Sequence, residues 1–211
     1  AALHTDRGTL CAFAVSATAA LGIVPSCDNN HHGCVARTPL IAYRNFYRKL
    51  ALDTYWEAEH AENESILDFC IRNGWEEYIY RMLVVDFLIL NRDRHGANIE
   101  VLRNSRKKTI HLAPLFDHGL SLLFNCADDA AAAEFDVMAD KRVNNYIGSG
   151  STLENLNLIP KDKLPKLNKL KETDRAILMR DLDGVISQTL QDKIWEMIWK
   201  RGCAYEAFCN S

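Results

Sequence analysis

The sequence predicts a mainly α, α+β fold: one helical domain over residues 1–211 that carries a single small β-hairpin. Three observations lead there. Residues 75–90 are apolar on nearly every face in their second half, which suits a helix at the centre of a domain better than one on its surface. Residues 99–102 and 109–112 are short apolar-rich runs separated by the basic stretch 103–108, the pattern of two strands and a turn. Most of the remaining chain spaces its apolar residues as helices do.

Taken in order, residues 9–24 form a helix-compatible apolar segment ended by Pro25. A second helix is expected over 39–57. A third begins at Asn63 or Glu64 and stops at Asn73-Gly74, where a C-cap glycine fits. Residues 119–150 are less regular and include Asp128-Asp129 and the alanines from Ala130 to Ala133. Helix returns over 160–202, with Pro160 and Pro165 near helix starts and Ile186, Leu190, Ile194 and Ile198 on one face. Trp195 and Trp199 are expected to fill core or interface rather than bind a ligand. Lysines 161, 163, 166, 169 and 171 alternate with Leu164, Leu167 and Leu170, which reads as an amphipathic helix with a solvated face rather than a site for a phosphorylated partner.

A chain of 211 residues can bury roughly 70% of the surface its unfolded form exposes, so one domain suffices. The net charge of −3 argues against general nucleic-acid binding, which calls for a strongly basic face. No apolar run reaches the roughly 18 residues that span a bilayer, and the first residues lack the order of a signal peptide, so the expected location is cytoplasmic. The seven cysteines form no CxxC pair, and their odd number fits reduced thiols. Cys27, His31, His32 and Cys34 fit no strong zinc spacing, and the reading preferred for them is a polar surface loop.

The chemistry concentrates in Asn91-Arg92-Asp93-Arg94-His95-Gly96-Ala97-Asn98-Ile99 and in Ala113-Pro114-Leu115-Phe116-Asp117-His118-Gly119. An aspartate, an asparagine five positions later and a second aspartate beyond a short hairpin match the Asp-x-x-x-x-Asn plus Asp-x-Gly pattern used in phosphoryl transfer from ATP. That reaction passes through a loose transition state, so the protein mainly positions the acceptor hydroxyl and neutralises phosphate charge through Mg²⁺. Mg²⁺ takes hard oxygen ligands and keeps several waters, which makes Asn98 and Asp117 the expected metal and nucleotide ligands. Asp93, at the head of its loop, is assigned as the catalytic base. His95 joins it in the catalytic group, touching phosphates or polarising Asp93, with a bond to loop backbone as the alternative. Arg94 is expected to brace the loop by pairing with a carboxylate. Asp86, within the apolar helix, needs a partner if buried and is read as an anchor for the loop backbone. His111 and His118 have no independent support as ligands.

Asp93-Arg94-His95 followed by Asn98-Ile99 resembles the Asp-Arg-His-x-x-Asn-Ile of phosphoinositide kinases. Leu112-Ala113-Pro114-Leu115-Phe116-Asp117 resembles the Leu-Ala-Pro-Leu-Tyr-Asp of HipA-type bacterial serine/threonine kinases. The resemblance spans 86–123 and implies the C-terminal catalytic lobe of a HipA-like, phosphoinositide-kinase-related atypical kinase, its metal-binding turn borne on the hairpin. It implies ATP and Mg²⁺ as cofactors, and a protein hydroxyl, or secondarily a lipid hydroxyl, as acceptor. Two departures stand out: Asn91 replaces the histidine of His-Arg-Asp, and His118 replaces the phenylalanine of Asp-Phe-Gly, leaving open how the turn is held.

A complete kinase also needs a Gly-rich loop over the phosphates and a strand lysine paired with a helix glutamate. Neither is recognisable. Lys49 lies where the sequence reads as helix, and Gly148-Ser149-Gly150-Ser151 follows the metal-binding turn, on the wrong side for a nucleotide loop. The expectation is therefore a helical lobe without its small N-terminal lobe, which folds but transfers phosphate negligibly by itself. Two other functions compete with the kinase: a catalytically inactive, kinase-derived binding module, and a metal-dependent phosphohydrolase built on Asp93, His95, Asp117 and His118. The latter needs more converging ligands than the sequence offers.

Overall fold

The computed structural model describes residues 48–211. The helix expected over 9–24, the first part of the one expected over 39–57, and the cluster from Cys27 to Cys34 lie outside the described residues. Within them the fold is α+β. Its strands are β1 Arg48–Ala51, β2 Asp93–Arg94, β3 Glu100–Asn104, β4 Thr109–Leu112 and β5 Asn144–Asn145. Its helices are α1 Leu52–Glu59, α2 Ile66–Arg72, α3 Glu76–Leu88, α4 Asp129–Glu134, α5 Thr152–Asn155, α6 Glu172–Met179 and α7 Gln188–Asn210.

The first difference from expectation is β1. Residues 48–51 are a strand and not the helix read there; helix begins only at Leu52. The cause is a partner distant in sequence. β1 runs antiparallel to β3, with Lys49 opposite Leu102, and the Leu52 amide carries the ladder one step further to the Ile99 carbonyl at 2.8 Å. Lys49, read as helical, is thus a strand lysine, and its ammonium lies 3.0 Å from a Glu100 carboxylate oxygen. The ladder satisfies backbone groups that a helix would otherwise have paired.

β1, β3 and β4 form one sheet in that order, with Val101 opposite Leu112 in the hairpin. The turn at its tip is closed by the Asn104 carboxamide oxygen, which accepts from the Arg106 and Lys107 amides, both at 3.0 Å. An asparagine that mimics backbone in this way makes a turn without needing a glycine.

α2 is capped by Ser65, whose hydroxyl accepts the Asp68 amide, and it ends at Asn73-Gly74, where Gly74 has a φ of 75°. That left-handed residue redirects the chain into α3. From Ile79 onward nearly all of α3 is buried, and it packs against both α5 and α7. The all-round apolar sequence of 82–90 thus has a direct cause: this helix is surrounded by protein.

The second difference lies in the lysine-rich stretch. Residues 160–171 are not an amphipathic helix: a 3₁₀ turn at Lys161–Lys163 leads into irregular chain, and helix resumes only at Glu172. Pro165 pushes Leu164 into extended geometry, with ψ at 123°. Leu164, Leu167 and Leu170 still pack against the core although no helix aligns them. The Tyr205 hydroxyl fastens the stretch to α7 by donating to the Pro165 carbonyl at 2.8 Å.

α7 buries Leu190, Ile194 and Ile198 along one stripe, with Trp195 buried and its ring centroid 5.5 Å from that of half-buried Trp199. Buried Arg201 donates to the carbonyls of Val137 at 2.7 Å, Phe87 at 3.0 Å and Ala139 at 3.0 Å. Burial brings its guanidinium down to about 10. Arg201 thereby ties α7 to the end of α3 and to the chain after α4. Among the described residues no helix is long and apolar enough to cross a membrane.

Candidate active site

The site starts where α3 stops. Leu90 takes a left-handed φ of 49°, which ends the helix, and the Asn91 amide reaches back to the Asp86 carbonyl at 2.9 Å. Asp86 is 1% exposed. Its carboxylate accepts from the Asn91 side-chain amide at 2.9 Å and from Arg94 Nη2 at 2.9 Å and Nε at 3.1 Å. Asn91 also accepts the Asp93 amide on its other end at 3.2 Å. It therefore links the helix carboxylate to Asp93 in the loop.

Arg94 is the hub. Fully buried, it uses the rest of its guanidinium on three further groups. Nη1 donates to the Asn98 carbonyl at 3.2 Å and the Phe116 carbonyl at 2.9 Å, and Nη2 lies 3.2 Å from His118 Nδ1. Burial works against its charge, but Asp86, with smaller help from Tyr78 and Asp117, more than offsets this and holds the guanidinium above its ordinary value. One nitrogen of one side chain thus joins the residue at the end of the loop to the residue just before Asp117.

Asn98 is buried, and its amide nitrogen donates to the Asp93 carbonyl at 3.0 Å. A carbonyl partner can only be met by the NH₂ end, so the other end of the carboxamide, Oδ1, is left to face away from that bond. Asp117 is exposed and adopts a φ of 52°, a conformation that costs a non-glycine residue roughly 1 kcal/mol or more. It is held there from both sides. Before it, the Tyr78 hydroxyl donates to the Ala113 carbonyl at 2.7 Å ahead of rigid Pro114, and Arg94 grips Phe116. After it, His118 is buried against Arg94.

His118 therefore acts as a structural acceptor. Burial first, and then the Arg94 charge, push its imidazole well below the ordinary value of 6.5, and because a guanidinium can only donate, the neutral ring meets it with an unprotonated Nδ1. The consequence for stability has a definite sign. The unfolded chain takes up this proton near 6.5 and the folded chain does not, so the contribution is intact above that value and is lost as pH falls towards the folded-state value. We expect the free energy of unfolding in urea to decrease from pH 7 to pH 5, and the slope to flatten in His118→Gln. Equal slopes in the two proteins would contradict this reading of His118.

Asp93 is only partly enclosed. Its side chain is 30% exposed and that of His95 41%, so both are open to a solute. The carboxylate has two different environments: Oδ1 accepts from Asn144 Nδ2 at 3.0 Å, and Oδ2 lies 3.8 Å from His95 Nε2. The loop backbone is clamped on both flanks. Arg92 donates to the Leu120 carbonyl at 3.0 Å and accepts from the Asn144 amide at 2.9 Å, while Arg94 accepts from the Tyr146 amide at 2.9 Å. α1 closes over the same loop at Gly96, where a Cβ would stand 2.7 Å from that of Asp53, so only glycine fits.

Asp86, Asp93, Arg94, His95 and Asn98 are joined in one network, and Asp117 follows Phe116, whose carbonyl Arg94 holds. The sequence marks Asn91 only as a departure from the kinase pattern, without a role, and gives no sign of Asn144 or of the Gly96–Asp53 packing. Asn144 had no local signal, since it lies 51 positions from Asp93. Among the described residues no group of three or more His, Cys, Asp or Glu is placed to hold a metal by itself. A two-metal hydrolase would need His118 as a ligand, and His118 is buried on Arg94. One carboxylate with one carboxamide oxygen instead suits a Mg²⁺ whose remaining ligands are phosphates and water.

No known sequence family matches the chain, and no curated protein matches it in sequence. In structure it is similar to the Helicobacter pylori proinflammatory kinase CtkA, with a TM-score of 0.52 and 15% sequence identity, over 95% of this chain and 81% of that one. At that identity the likeness is one of architecture: the chain has a kinase-like α+β fold.

Proposed function

We propose that this chain carries the catalytic centre of a Mg-ATP-dependent phosphotransferase, a HipA-like kinase acting on serine or threonine hydroxyls of protein. The observation that carries the reading is the Arg94 hub. A single guanidinium bonded to the Asn98 and Phe116 carbonyls brings the Asp93-to-Asn98 loop and the Asp117 turn together, as a shared nucleotide site requires.

On this reading Asn98 Oδ1 and the Asp117 carboxylate hold Mg²⁺, which when bound neutralises charge on the phosphates. Asp93 orients the acceptor hydroxyl and takes its proton on Oδ2 as the acceptor oxygen bonds to the γ-phosphorus and the bond to the β-bridging oxygen breaks. Arg94 and Asp86 keep the two ligand-bearing segments in register, which matters because catalysis of this reaction is almost entirely positioning and electrostatics.

The test is transfer from Mg-[γ-³²P]ATP by the complete protein to myelin basic protein and to itself. Transfer that EDTA abolishes is the expected result, with Asp117→Asn weakening Mg-nucleotide binding at least tenfold. Absence of transfer together with unchanged nucleotide binding by Asp117→Asn would overturn the proposal and leave the binding-module alternative.

A further inference from the structure

We propose that Asn144 is the positioning residue of Asp93, fixing the carboxylate so that Oδ2 faces the acceptor hydroxyl; this rests on the kinase reading above. β2 and β5 run parallel with Asp93 directly opposite Asn144, and the Asn144 and Tyr146 amides donate to the carbonyls of Arg92 and Arg94. Side chains of directly opposed residues leave the same face of a parallel pair. The Asn144 amide therefore meets Oδ1 at 3.0 Å as a consequence of the register. Oδ1 is occupied by that bond, and Oδ2 is the oxygen left towards His95 and solvent. The donor is a neutral amide, so it orients the carboxylate without cancelling the charge that makes it a base.

The segment bearing Asn144 is built to keep its place. On its N-terminal side Arg201 holds the Val137 and Ala139 carbonyls, and the Ser151 hydroxyl donates to Asp140 at 2.6 Å. On its C-terminal side the Asn145 carboxamide accepts the Ile147 and Gly148 amides, both at 3.0 Å. Buried Asn155 then clasps Ser149 by both its amide and its carbonyl, so closely that a Cβ on Gly148 would stand 2.2 Å from Asn155 Oδ1. The strand also ends the stretch that leaves the Asp117 turn, and between Leu122 and Asn145 that stretch has no serine, threonine or tyrosine.

The experiment measures ³²P transfer from Mg-[γ-³²P]ATP to myelin basic protein, to the protein itself and to water, as pH profiles, for the complete protein and its Asn144 variants. Asn144→Ala is expected to lower kcat about tenfold or more while leaving KM for ATP within about twofold, since a misplaced reacting group costs rate and not nucleotide affinity. Asn144→Gln, which keeps the donor, is expected to recover part of the loss. In Asn144→Asp two carboxylates face each other, so Asp93 keeps its proton to higher pH and the acid limb of the kcat profile moves up. Thermal melts of all three report folding, and the alkaline end of the Asn144→Asp profile stays informative even if Asn144→Ala unfolds. If the wild type transfers in an Asp93-dependent way, but kcat and the acid limb are unmoved in every folded variant, the positioning role is overturned and the kinase reading stands. A wild type without Asp93-dependent transfer overturns both.

Discussion

Asp93→Asn is expected to lower phosphotransfer by about 10²- to 10⁴-fold, the usual range for losing a positioned general base, with the fold intact. The reason for the intact fold is local. Asp93 is partly exposed, and its side chain is bonded to Asn144, a donor that an asparagine oxygen at position 93 still satisfies. Its contribution to holding Asn98 is made through the backbone carbonyl, which the substitution keeps. The rate should fall while KM for ATP stays near its wild-type value, because Asn98 and Asp117 are untouched. Single-turnover transfer and circular dichroism on the same preparation check both halves. Near-normal transfer by a folded Asp93→Asn protein would refute the assignment of the base.

The largest effect on stability is expected at Arg94. Arg94→Met keeps much of the side-chain volume but leaves Asp86 buried with the Asn91 amide as its remaining bonded side chain. It also takes the guanidinium donor from the carbonyls of Asn98 and Phe116 and from His118 Nδ1. Breaking a buried ion pair on one side costs about 3–5 kcal/mol, a large fraction of the roughly 5–15 kcal/mol that holds a domain together. The urea midpoint of Arg94→Met should fall accordingly. Asp86→Leu combined with Arg94→Met should be less damaging than Arg94→Met alone, since the orphaned charge is then gone. A loss below about 1 kcal/mol, or a double variant as unstable as additivity requires, would contradict the hub.

The parts of this molecule legible in its sequence are those where cause and consequence lie close together in the chain. The buried helix and hairpin follow from periodicity and turn chemistry within about forty residues, and Asp86, read as an anchor for the loop backbone, instead bonds the side chains of Asn91 and Arg94, five and eight residues further on. Strand β1 was illegible for the opposite reason. Its four residues are a strand because β3 lies beside them, and β3 comes some fifty positions later. Residues 160–171 misled because leucines spaced by three fit a helix face, while Pro165 holds Leu164 in extended geometry and stops a helix forming. His118 was set aside as a ligand, but the sequence gives no sign that it would be the acceptor closing the Arg94 network. Asn144 is the clearest case: an unremarkable asparagine in an irregular stretch becomes significant only through its register against Asp93.

The claim on which the functional reading depends is that Asn98 and Asp117 serve one Mg-nucleotide site. Calorimetric titration of Mg-ATP into the complete protein, Asn98→Ala, Asp117→Ala and the double variant tests it most directly. If the two residues share a metal, each single change should weaken Mg-ATP binding at least tenfold, and the double variant should bind no more weakly than the worse single, because either loss already removes the ion. Strictly additive losses, or ATP binding that neither variant nor removal of Mg²⁺ alters, would contradict it.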